Sequence, residues 1–547
     1  MTAPAARTGL FPVGPTAPRQ FAPGSSERAS TRAALDVLRD TDFDLGSHIG
    51  GAPVRTGRTT PLTSPHDHAL RLGQVHRAGA AEMTLAIDAA LDTARWWSRL
   101  PWEERVAPFL RAADMLEFGP WRDRLNAATM LELSKTSYQA DIDAACETID
   151  FLRANVVNML AMYEVQPGSL PGMWNQAEYR PLEGFVYAVT PFNFTCMNNL
   201  AFAPAILGDV VVWKPATDAS LVAHLSLELL REAGLPDGVI NLVFGEGSEI
   251  GSLPLEHRDL AAVHFTGSTS TFQGIWRTVG ANVERYRNYP RLVGETGGKN
   301  FVLAHPSADV ETLAAALIRG AYEFQGQKCS AASRLYAPKS LWPELRDRLV
   351  AETESIVVGD PTEPTTFVGA VINGSQHAKH TEVLRAARSE ARILVGGGAD
   401  ATTGWFVDPT VIEVEDPRSR FMTEEFFAPI LSAYVYDDRA WPEILELVDT
   451  STSYGLTGAI FASDMIAAEE ANEALRYSAG NIYFNDKPTG SLVGQQPFGG
   501  ARASGTNDKA GTVWNLIRFA SPRTLKRNHV PVRDYRYRHL QNGDTDE

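Results

Sequence analysis

The chain has 547 residues, of which 44% are hydrophobic, 21% charged and 9% aromatic, a composition typical of a globular protein with several domains. Asp and Glu number 66 against 50 for Lys and Arg, so the formal net charge is −16, which disfavours nucleic acid and anionic membranes as partners. The three cysteines, Cys146, Cys196 and Cys329, cannot form a disulfide framework, and their spacing predicts no metal site.

The two ends of the chain differ from the middle. Residues 1–31 are rich in Pro, Ala, Gly, Ser and Thr and contain no acid before Glu27, which predicts a mobile tail. A transit peptide has a similar bias, so a mitochondrial matrix location is the alternative to the cytoplasmic location that we expect. The apolar run 192–213 contains Pro204 and Asp209 and predicts buried chain, not a membrane span. Residues 532–547 are expected to form a solvated C-terminal tail.

Helical and strand patterns follow each other along the middle of the chain. Apolar residues recur with period 3.6 over 81–115 and 141–163, which predicts amphipathic helices with a break at Pro101. Short apolar strands, separated by helix-length segments such as 220–233, are then predicted at 185–190, 210–213, 239–243, 262–265 and 301–303. A second series has a helix at 310–324 and strands at 333–337, 459–461 and 480–484. This order predicts parallel βαβ units with ligand sites at the strand carboxyl ends.

Two residues of the second half have the chemistry of a covalent catalyst. Cys329 follows a predicted helix in Gln-Gly-Gln-Lys-Cys-Ser, and its polar neighbours favour a nucleophile, although a lone cysteine is more often a buried apolar residue. Glu295 lies in the glycine-rich segment 292–300. Its carboxylate is either a general base or an ordinary solvated turn residue.

Polar residues also follow the predicted parallel strands. Asn193 is either an oxyanion donor or a helix cap. Lys214 ends one strand and Phe-Thr-Gly-Ser (265–268) ends another, a combination that suits an adenosine diphosphate. Gly245 and Gly247 form only a partial phosphate-binding motif. These residues predict a nucleotide-binding α/β enzyme.

Taken together and in order, the motifs resemble the aldehyde dehydrogenase superfamily from about Ala81 to about Pro522. They are Pro-Phe-Asn (191–193), Trp-Lys-Pro (213–215), Phe-Thr-Gly-Ser, Glu-Thr-Gly-Gly-Lys (295–299), Gly-Gln-Lys-Cys (326–329), Glu-x-Phe-x-Pro (425–429) and Pro-Phe-Gly-Gly (497–500). Segments 139–151 and 485–509 are similar to the branch of the superfamily that oxidises L-glutamate γ-semialdehyde, the open form of 1-pyrroline-5-carboxylate.

The resemblance implies a three-part α/β fold. A Rossmann-type NAD-binding domain would comprise 32–163 and 185–293, and an α/β catalytic domain 294–509. A small β oligomerisation flap, 164–184 and 510–531, would combine a hairpin with a late strand near 513–520. We therefore expect a homodimer or larger homo-oligomer with NAD as cofactor, a small-molecule substrate and no metal.

The resemblance also assigns roles to residues. Cys329 would attack the aldehyde, Asn193 would hold the oxyanion, and Glu295 would activate water. The expected cofactor-binding residues are Thr190, Phe192, Lys214, Gly247, Gly267, Ser268, Glu425 and Phe427. The expected substrate-binding residues are Glu147, which would face the α-ammonium, and Phe194, Lys328, Ser330, Gly490, Ser491 and Phe498. Without the resemblance, Glu147 reads as a solvated helix residue.

The implied reaction is the NAD-dependent oxidation of L-glutamate γ-semialdehyde to L-glutamate, the second step of proline catabolism. One alternative is a dehydrogenase for another semialdehyde, such as succinate semialdehyde. A catalytically silent protein on the same scaffold is the other. Two departures from the family pattern are Phe272, where many relatives have glycine, and Thr217, where many NAD-specific relatives have glutamate. The second leaves the preference for NAD over NADP open.

Overall fold

Helices flank the sheets of this α/β protein, for which a computed structural model describes residues 14–540. A π-helix occupies Asp141–Glu147, between α5 and α6. The α-helices are α1 (Ser26–Arg39), α2 (Ala80–Trp97), α3 (Trp102–Phe118), α4 (Trp121–Leu133), α5 (Ser137–Ala140), α6 (Thr148–Tyr163), α7 (Asn199–Leu207), α8 (Ser220–Glu232), α9 (Gly247–Ile250), α10 (Ser252–Glu256), α11 (Thr269–Ala281), α12 (Val310–Tyr322), α13 (Trp342–Glu354), α14 (Gly374–Glu390), α15 (Arg420–Thr423), α16 (Trp441–Thr450), α17 (Met465–Ala474) and α18 (Val513–Leu516).

The strands fall mainly into two large sheets. In chain order they are β1 (Phe43–Leu45), β2 (Ser47–Ile49), β3 (Ala52–Val54), β4 (Thr59–Ser64), β5 (Asp67–His76), β6 (Met173–Pro181), β7 (Phe185–Thr190), β8 (Val211–Pro215), β9 (Ile240–Leu242), β10 (Leu260–Thr266), β11 (Arg291–Glu295), β12 (Asn300–Ala304), β13 (Ala332–Pro338), β14 (Arg392–Val395), β15 (Ala399–Asp400), β16 (Phe406–Val407), β17 (Thr410–Val414), β18 (Ile430–Tyr436), β19 (Tyr454–Gly455), β20 (Thr457–Phe461), β21 (Asn481–Phe484), β22 (Ala501–Arg502) and β23 (Ala520–Asn528).

The first large sheet has the order β11-β10-β7-β8-β9-β2-β3. Its strands from β11 to β9 are parallel, and the antiparallel strands β2 and β3 extend one edge. Strand β7 is almost completely buried, as an apolar strand covered by helices on both faces must be. The chain leaves β7 toward β8 on one side and returns as β10 on the other, which creates a topological switch point between them.

The second large sheet has the order β14-β17-β18-β13-β12-β20-β21, with β14 antiparallel to the parallel remainder. The chain crosses from the first sheet to the second between Glu295, the last residue of β11, and Asn300, the first of β12. The carboxyl edge of the first sheet therefore faces the amino edge of the second. Gly297 and Gly298 lie in this connecting segment.

A separate two-stranded sheet pairs β6 antiparallel with β23 over nine residues. It lies within the two segments expected to form the flap, but the expected details are wrong in two places. Segment 164–184 contains the single strand β6 and no hairpin, and residues 513–519 are helical, so the late strand begins at Ala520. The Thr512 hydroxyl caps α18 by accepting the Asn515 N–H, and burial of Leu516 and Phe519 fixes this turn.

The mobile tail expected for residues 1–31 is wrong for residues 14–31, which are ordered against the domain. Helix α1 begins at Ser26, with Ser25 as its cap. Upstream, the Thr16 hydroxyl donates to Asp150 at 2.7 Å, and the Arg19 N–H donates to Asp141 at 2.8 Å. Because both acceptors are buried, these bonds fix the segment against the domain. Residues 1–13 of the expected tail and residues 541–547 lie outside the described part of the chain.

The apolar run 192–213 is part of the globular fold, as expected. It divides into a 3-10 turn at Thr195–Asn198, helix α7 and strand β8, and α7 is only nine residues long. Over residues 14–540, no helix combines the length and apolar character needed to cross a bilayer.

Candidate active site

Several of the expected cofactor-binding residues lie at the switch point of the first sheet. Thr190 ends β7, Lys214 is the penultimate residue of β8, and Gly267 and Ser268 follow β10. Thr190 itself has a structural contact, since its hydroxyl accepts a hydrogen bond from Trp213 Nε1 at 2.9 Å. Parallel strand ends at such a point form a crevice in which dinucleotides bind.

Lys214 and Gly247 lie together at one end of this crevice. Lys214 is buried, and its Nζ donates to the Pro215 carbonyl at 3.1 Å. A Cβ built on Gly247 would lie 3.6 Å from Lys214 Cε. Burial lowers the pKa of Lys214, and the charge of Glu246 opposes that shift. Glu246 is therefore near Lys214, but within residues 14–540 no acid forms an ion pair with its ammonium group, which can bind an oxygen-rich ligand.

Ser268 caps the 13-residue helix α11 at the other side of the crevice. Its hydroxyl accepts the Thr271 N–H, and Ser268 is exposed. The amino end of a helix of this length favours a phosphate group. Phe272, where many relatives have glycine, is buried and stacks on Phe265 with a ring separation of 5.4 Å, so it fills the first turn of α11.

Glu425 and Phe427 border the same crevice from the second sheet, in the segment between α15 and β18. Glu425 Oε1 accepts the Gly298 N–H at 2.8 Å, and burial raises its pKa. The Phe427 ring meets that of Phe192 edge-on at 5.9 Å. Phe427 has a left-handed φ of 59°, an uncommon conformation for a bulky residue that points to a functional constraint. Residues from both sheets thus border one cleft.

The loop before Cys329 has an unusual backbone. Phe324, Gln325 and Gly326 have φ values of 52°, 57° and 66°, so two residues with side chains adopt the left-handed conformation that favours glycine. The buried Gln325 side chain anchors them. Its Nε2 donates to the carbonyls of Ser134 and Ala370, and its Oε1 accepts the Gly369 N–H. These three bonds hold the loop in its strained shape.

Cys329 lies in the cleft at the amino end of β13. Its carbonyl accepts from Asn300 Nδ2 at 2.7 Å, which fixes the backbone of the nucleophile. Burial raises the pKa of Cys329 to about 12, and the carboxylates of Glu425 and Glu295 add to that shift. The thiol therefore requires a base before it can attack.

Asn193 lies over the same loop. It is buried, and its Nδ2 donates to the Gln327 carbonyl at 3.1 Å. An amide nitrogen has two hydrogens, so the second remains available to an oxyanion near Cys329. This placement favours the expected oxyanion donor over the helix cap.

Glu295 is held by glycine backbone. Its Oε2 accepts the Gly500 N–H at 2.8 Å, and a Cβ on Gly499 would lie 3.0 Å from its Oε1. Burial raises the pKa of Glu295 well above the usual value, while Lys509 and the Gly500 bond oppose the shift. A carboxylate with a raised pKa is a stronger base than a solvated one.

Glu147 ends the π-helix. Its Oε2 accepts a hydrogen bond from Cys196 Sγ at 2.9 Å, and burial raises its pKa to about 7. Asp143, one turn earlier, forms a buried ion pair with Lys135 at 2.6 Å. Asp143, Glu147 and Cys196 are close enough to share a metal ion, but the ammonium group of Lys135 already neutralises Asp143. A π-helical turn is frequent at functional sites.

A second group lies on the other side of Cys329. Lys328 pairs with Glu323 at 2.8 Å. The Ser330 hydroxyl lies 2.8 Å from Thr489 Oγ1, which joins the nucleophile loop to the segment containing Gly490 and Ser491. The left-handed Gly490, with φ of 86°, turns this segment sharply. The structure thus brings these four expected substrate residues to one region.

Two expected aromatic residues have different surroundings. The Phe194 ring lies 4.2 Å from Lys135 Nζ, beside the Asp143 ion pair. Phe498 is half-buried, and its carbonyl accepts the Ala510 N–H. Their expected arrangement on opposite sides of a substrate chain stays a prediction.

Sequence reasoning missed the residues that support the expected ones. They are Lys135, Asp143, Cys196, Asn300, Gln325 and Thr489. Most are bonded to residues distant along the chain, such as Gln325 to Ser134, 191 residues away. Asn300 and Gln325 adjoin the motifs 295–299 and 326–329, and Thr489 precedes Gly490, and this adjacency is the signal in the sequence that could have found them.

A cleft between an NAD-type sheet and a second α/β sheet, with a cysteine, a raised-pKa glutamate and an asparagine amide around it, defines a cysteine-dependent aldehyde dehydrogenase. The model of the aldehyde dehydrogenase family matches residues 54–525, and the chain belongs to that family.

Its relatives specify a branch. The chain is 46% identical to the mouse mitochondrial delta-1-pyrroline-5-carboxylate dehydrogenase, over 95% of this chain and 93% of the mouse protein. It is 44% identical to the delta-1-pyrroline-5-carboxylate dehydrogenase of Agaricus bisporus, over 98% and 99%. The solved structure of the Mycobacterium tuberculosis enzyme bound with NAD superposes with a TM-score of 0.94 at 47% identity, covering 97% of this chain and 99% of that one.

Proposed function

We propose that this protein oxidises L-glutamate γ-semialdehyde to L-glutamate with NAD, the second step of proline catabolism. The substrate forms when 1-pyrroline-5-carboxylate opens, and it bears an aldehyde, an α-carboxylate and an α-ammonium group. Similarity to named enzymes of this activity supports the proposal. The charges around the cleft give it a physical basis.

The observation that carries the choice of substrate is that the Glu147 carboxylate has no ion-pair partner among the described residues. Four other charged groups lie around the cleft and form two pairs, Asp143 with Lys135 beside Glu147, and Glu323 with Lys328 on the other side of Cys329. Within residues 14–540, Glu147 has no ion-pair partner, and its bond goes to the Cys196 thiol. Glu147 is half-buried, and the charges of Lys135 and Lys328 offset only part of the desolvation that raises its pKa, so a carboxylate without an ion-pair partner is costly here. An α-ammonium group on the substrate would neutralise it.

The opposite region suits the α-carboxylate. The Ser330 hydroxyl and the backbone of Gly490 and Ser491 supply hydrogen-bond donors, and Lys328 supplies positive charge. Lys487 adds to this charge, since a Cβ on Gly490 would lie 3.2 Å from its Nζ. Carboxylate and ammonium would thus bind on separate sides of Cys329, with the aldehyde directed at the thiol.

The reaction follows from these positions. Glu295 takes the proton of Cys329, whose sulfur adds to the aldehyde carbon, and the new oxyanion is held by the Asn193 amide and the Cys329 N–H. NAD held in the crevice would supply the acceptor for the hydride that leaves that carbon. Glu295 passes the thiol proton to solvent and then takes a proton from water, whose oxygen attacks the resulting thioester. The Cys329 thiolate leaves and receives that proton from Glu295, and L-glutamate is released. The balance is aldehyde, water and oxidised NAD to carboxylate, reduced NAD and two protons.

The residues present fit the cofactor. The open Gly247, the ammonium group of Lys214 and the capped end of α11 suit an adenosine diphosphate, and Glu425 with the Phe192 and Phe427 rings would line the nicotinamide half. Glu425 would bind a ribose there, although its present bond is to Gly298. These assignments complete the site that the reaction requires.

The experiment compares two aldehydes in one variant. Glu147→Gln removes the charge with little change in shape, so kcat/KM for the semialdehyde should fall at least tenfold, about 1.4 kcal/mol, while that for propanal should hold. The control Glu104→Gln changes an exposed acid on α3 and should alter neither value. Equal losses on both aldehydes, or a wild type that prefers succinate semialdehyde, would contradict the proposed substrate.

The pH dependence gives a second test of the same idea. The pKa of Glu147 is raised to about 7, so its carboxyl group is protonated below pH 7 and cannot pair with an ammonium group. In wild type, kcat/KM for the semialdehyde should therefore rise as pH passes 7. The same rise in Glu147→Gln would assign that titration to another group.

The assembly and location are further parts of the proposal. The β6–β23 sheet has two strands, and such small sheets need covering to be stable, so we expect at least a homodimer built through it. A monodisperse monomer in sedimentation at micromolar concentration would contradict this. The mouse relative is named as mitochondrial, and a cytoplasmic location of this chain stays a prediction that fractionation of its native cells can test.

A further inference from the structure

The carboxylate of Glu246 lies beside the proposed adenosine end of the NAD crevice. Its Oε1 accepts a hydrogen bond from Thr217 Oγ1 at 3.4 Å, and its charge acts on Lys214. Glu246 belongs to the loop after β9, whereas Lys214 and Thr217 belong to the end of β8 and the turn after it. Two neighbouring strands therefore bring one acid and one base together.

This arrangement bears on how the ribose is recognised. In proteins that bind dinucleotides at such sheets, an acidic side chain accepts a hydrogen bond from the ribose 2′-hydroxyl of NAD. A cationic side chain instead accommodates the 2′-phosphate of NADP. Thr217 has no charge, and Lys214 taken alone would attract a phosphate. Because Glu246 contacts Thr217 directly, its carboxylate occupies space that an acid at position 217 would reach.

A second acid at this turn is already engaged. Asp218 Oδ2 accepts a hydrogen bond from Asn373 Nδ2 at 2.7 Å, which directs that carboxylate toward Asn373. Glu246 is half-buried like Asp218, but it lies at the edge of the crevice next to the exposed Gly247. Glu246 is therefore better placed than Asp218 to meet a ligand.

We propose that Glu246 makes this protein select NAD over NADP, by accepting a hydrogen bond from the adenosine ribose and by repelling a 2′-phosphate. The inference rests on the proposed NAD site and is independent of which aldehyde is oxidised. Like charges brought together disfavour the wrong ligand strongly, so one carboxylate is sufficient to set the preference.

The test measures binding of NAD and NADP to the full-length protein by calorimetry, without aldehyde. In Glu246→Gln, the ratio of the NADP to the NAD dissociation constant should fall at least tenfold. The matched control is Glu249→Gln, three residues later, whose exposed carboxylate pairs with Arg58 at 2.8 Å. That variant should keep the wild-type ratio.

A compensating variant separates charge from structure. Thr217→Glu combined with Glu246→Gln returns a carboxylate to the same space and should restore the preference for NAD, with a matching thermal shift on addition of NAD. An unchanged ratio in Glu246→Gln, an equal fall in Glu249→Gln, or a proportional loss of both affinities would overturn the inference. Failure of the proposed substrate would appear in the aldehyde kinetics and leave these ratios untouched, whereas binding of neither cofactor would overturn both proposals.

Discussion

Breaking the ion pair between Lys135 and Asp143 from one side should cost this fold several kcal/mol, because it leaves a buried charge without its partner. Both side chains are only 2% exposed, and the Asp143 carboxylate also accepts the N–H groups of Thr195 and Cys196 at 2.9 Å. Asp143→Asn keeps the shape but removes the charge, and it turns one acceptor into a donor. Loss of one partner of a buried pair costs about 3–5 kcal/mol.

The assay is the thermal unfolding midpoint by calorimetry. At about 2 °C per kcal/mol for a large unit, Asp143→Asn should unfold about 6 °C or more below wild type. The control Glu382→Gln breaks an exposed pair with Arg385, whose side chains are 57% and 72% exposed, and should cost about 0–1 kcal/mol. Adding Lys135→Met to Asp143→Asn removes the stranded charge and should recover part of the loss.

The stability loss of Asp143→Asn should depend on pH with a definite sign. Burial lowers the pKa of Lys135, and Asp143 opposes that shift, so the pKa falls further in Asp143→Asn. The unfolded lysine has a pKa of about 10.4, so the folded variant releases its proton first and gains stability as pH rises. Its deficit should therefore be smaller at pH 9 than at pH 7. A midpoint no lower than that of Glu382→Gln, or a deficit that grows with pH, would refute the reasoning.

Three other changes have defined outcomes. Cys329→Ala should abolish formation of reduced cofactor while NAD still binds in calorimetry, and residual turnover would remove the thiol from the mechanism. Glu295→Gln should slow thioester hydrolysis, by about 10²–10⁴-fold for loss of a general base, so a rapid-mixing experiment should show a burst of reduced cofactor before a slow steady rate. Gly294→Ala should destabilise the fold, because the added Cβ would lie 2.2 Å from the Phe272 ring, and Phe272→Ala in the same chain should relieve that clash. If the double variant melts no higher than Gly294→Ala, the clash is not the cause.

Local patterns explain why much of the fold could be predicted. Strands such as β7 and β8 are continuous apolar runs because both faces are buried, and α8 carries a clear 3.6-residue period. The break at Pro101 also appears where expected, between α2 and α3. Of the site, Asn193 and Cys329 follow regular elements and Glu295 ends one, so their short motifs could be located from the sequence, while their catalytic roles stay predictions.

The parts that could not be predicted depend on distant partners. Strands β3 and β4 contain Pro53 and Pro61 and few apolar residues, so neither has the alternation of a strand. The π-helix differs from an α-helix by a register change that leaves the apolar spacing nearly unaltered. The fixed conformation of residues 14–31 depends on hydrogen bonds to Asp141 and Asp150, which lie more than a hundred residues away in the sequence.

The topology of the first sheet has a consequence for synthesis of the chain on the ribosome. Gly50, in the turn between β2 and β3, donates its N–H to Asn241, 191 residues later. At about 5–20 residues per second, the ribosome needs about 10–40 s to make the partner of these early strands. Unpaired strands invite association with other chains, so the nascent protein presents a bare edge for that interval. Expression at a lower temperature or with added chaperones should therefore increase the yield of native protein.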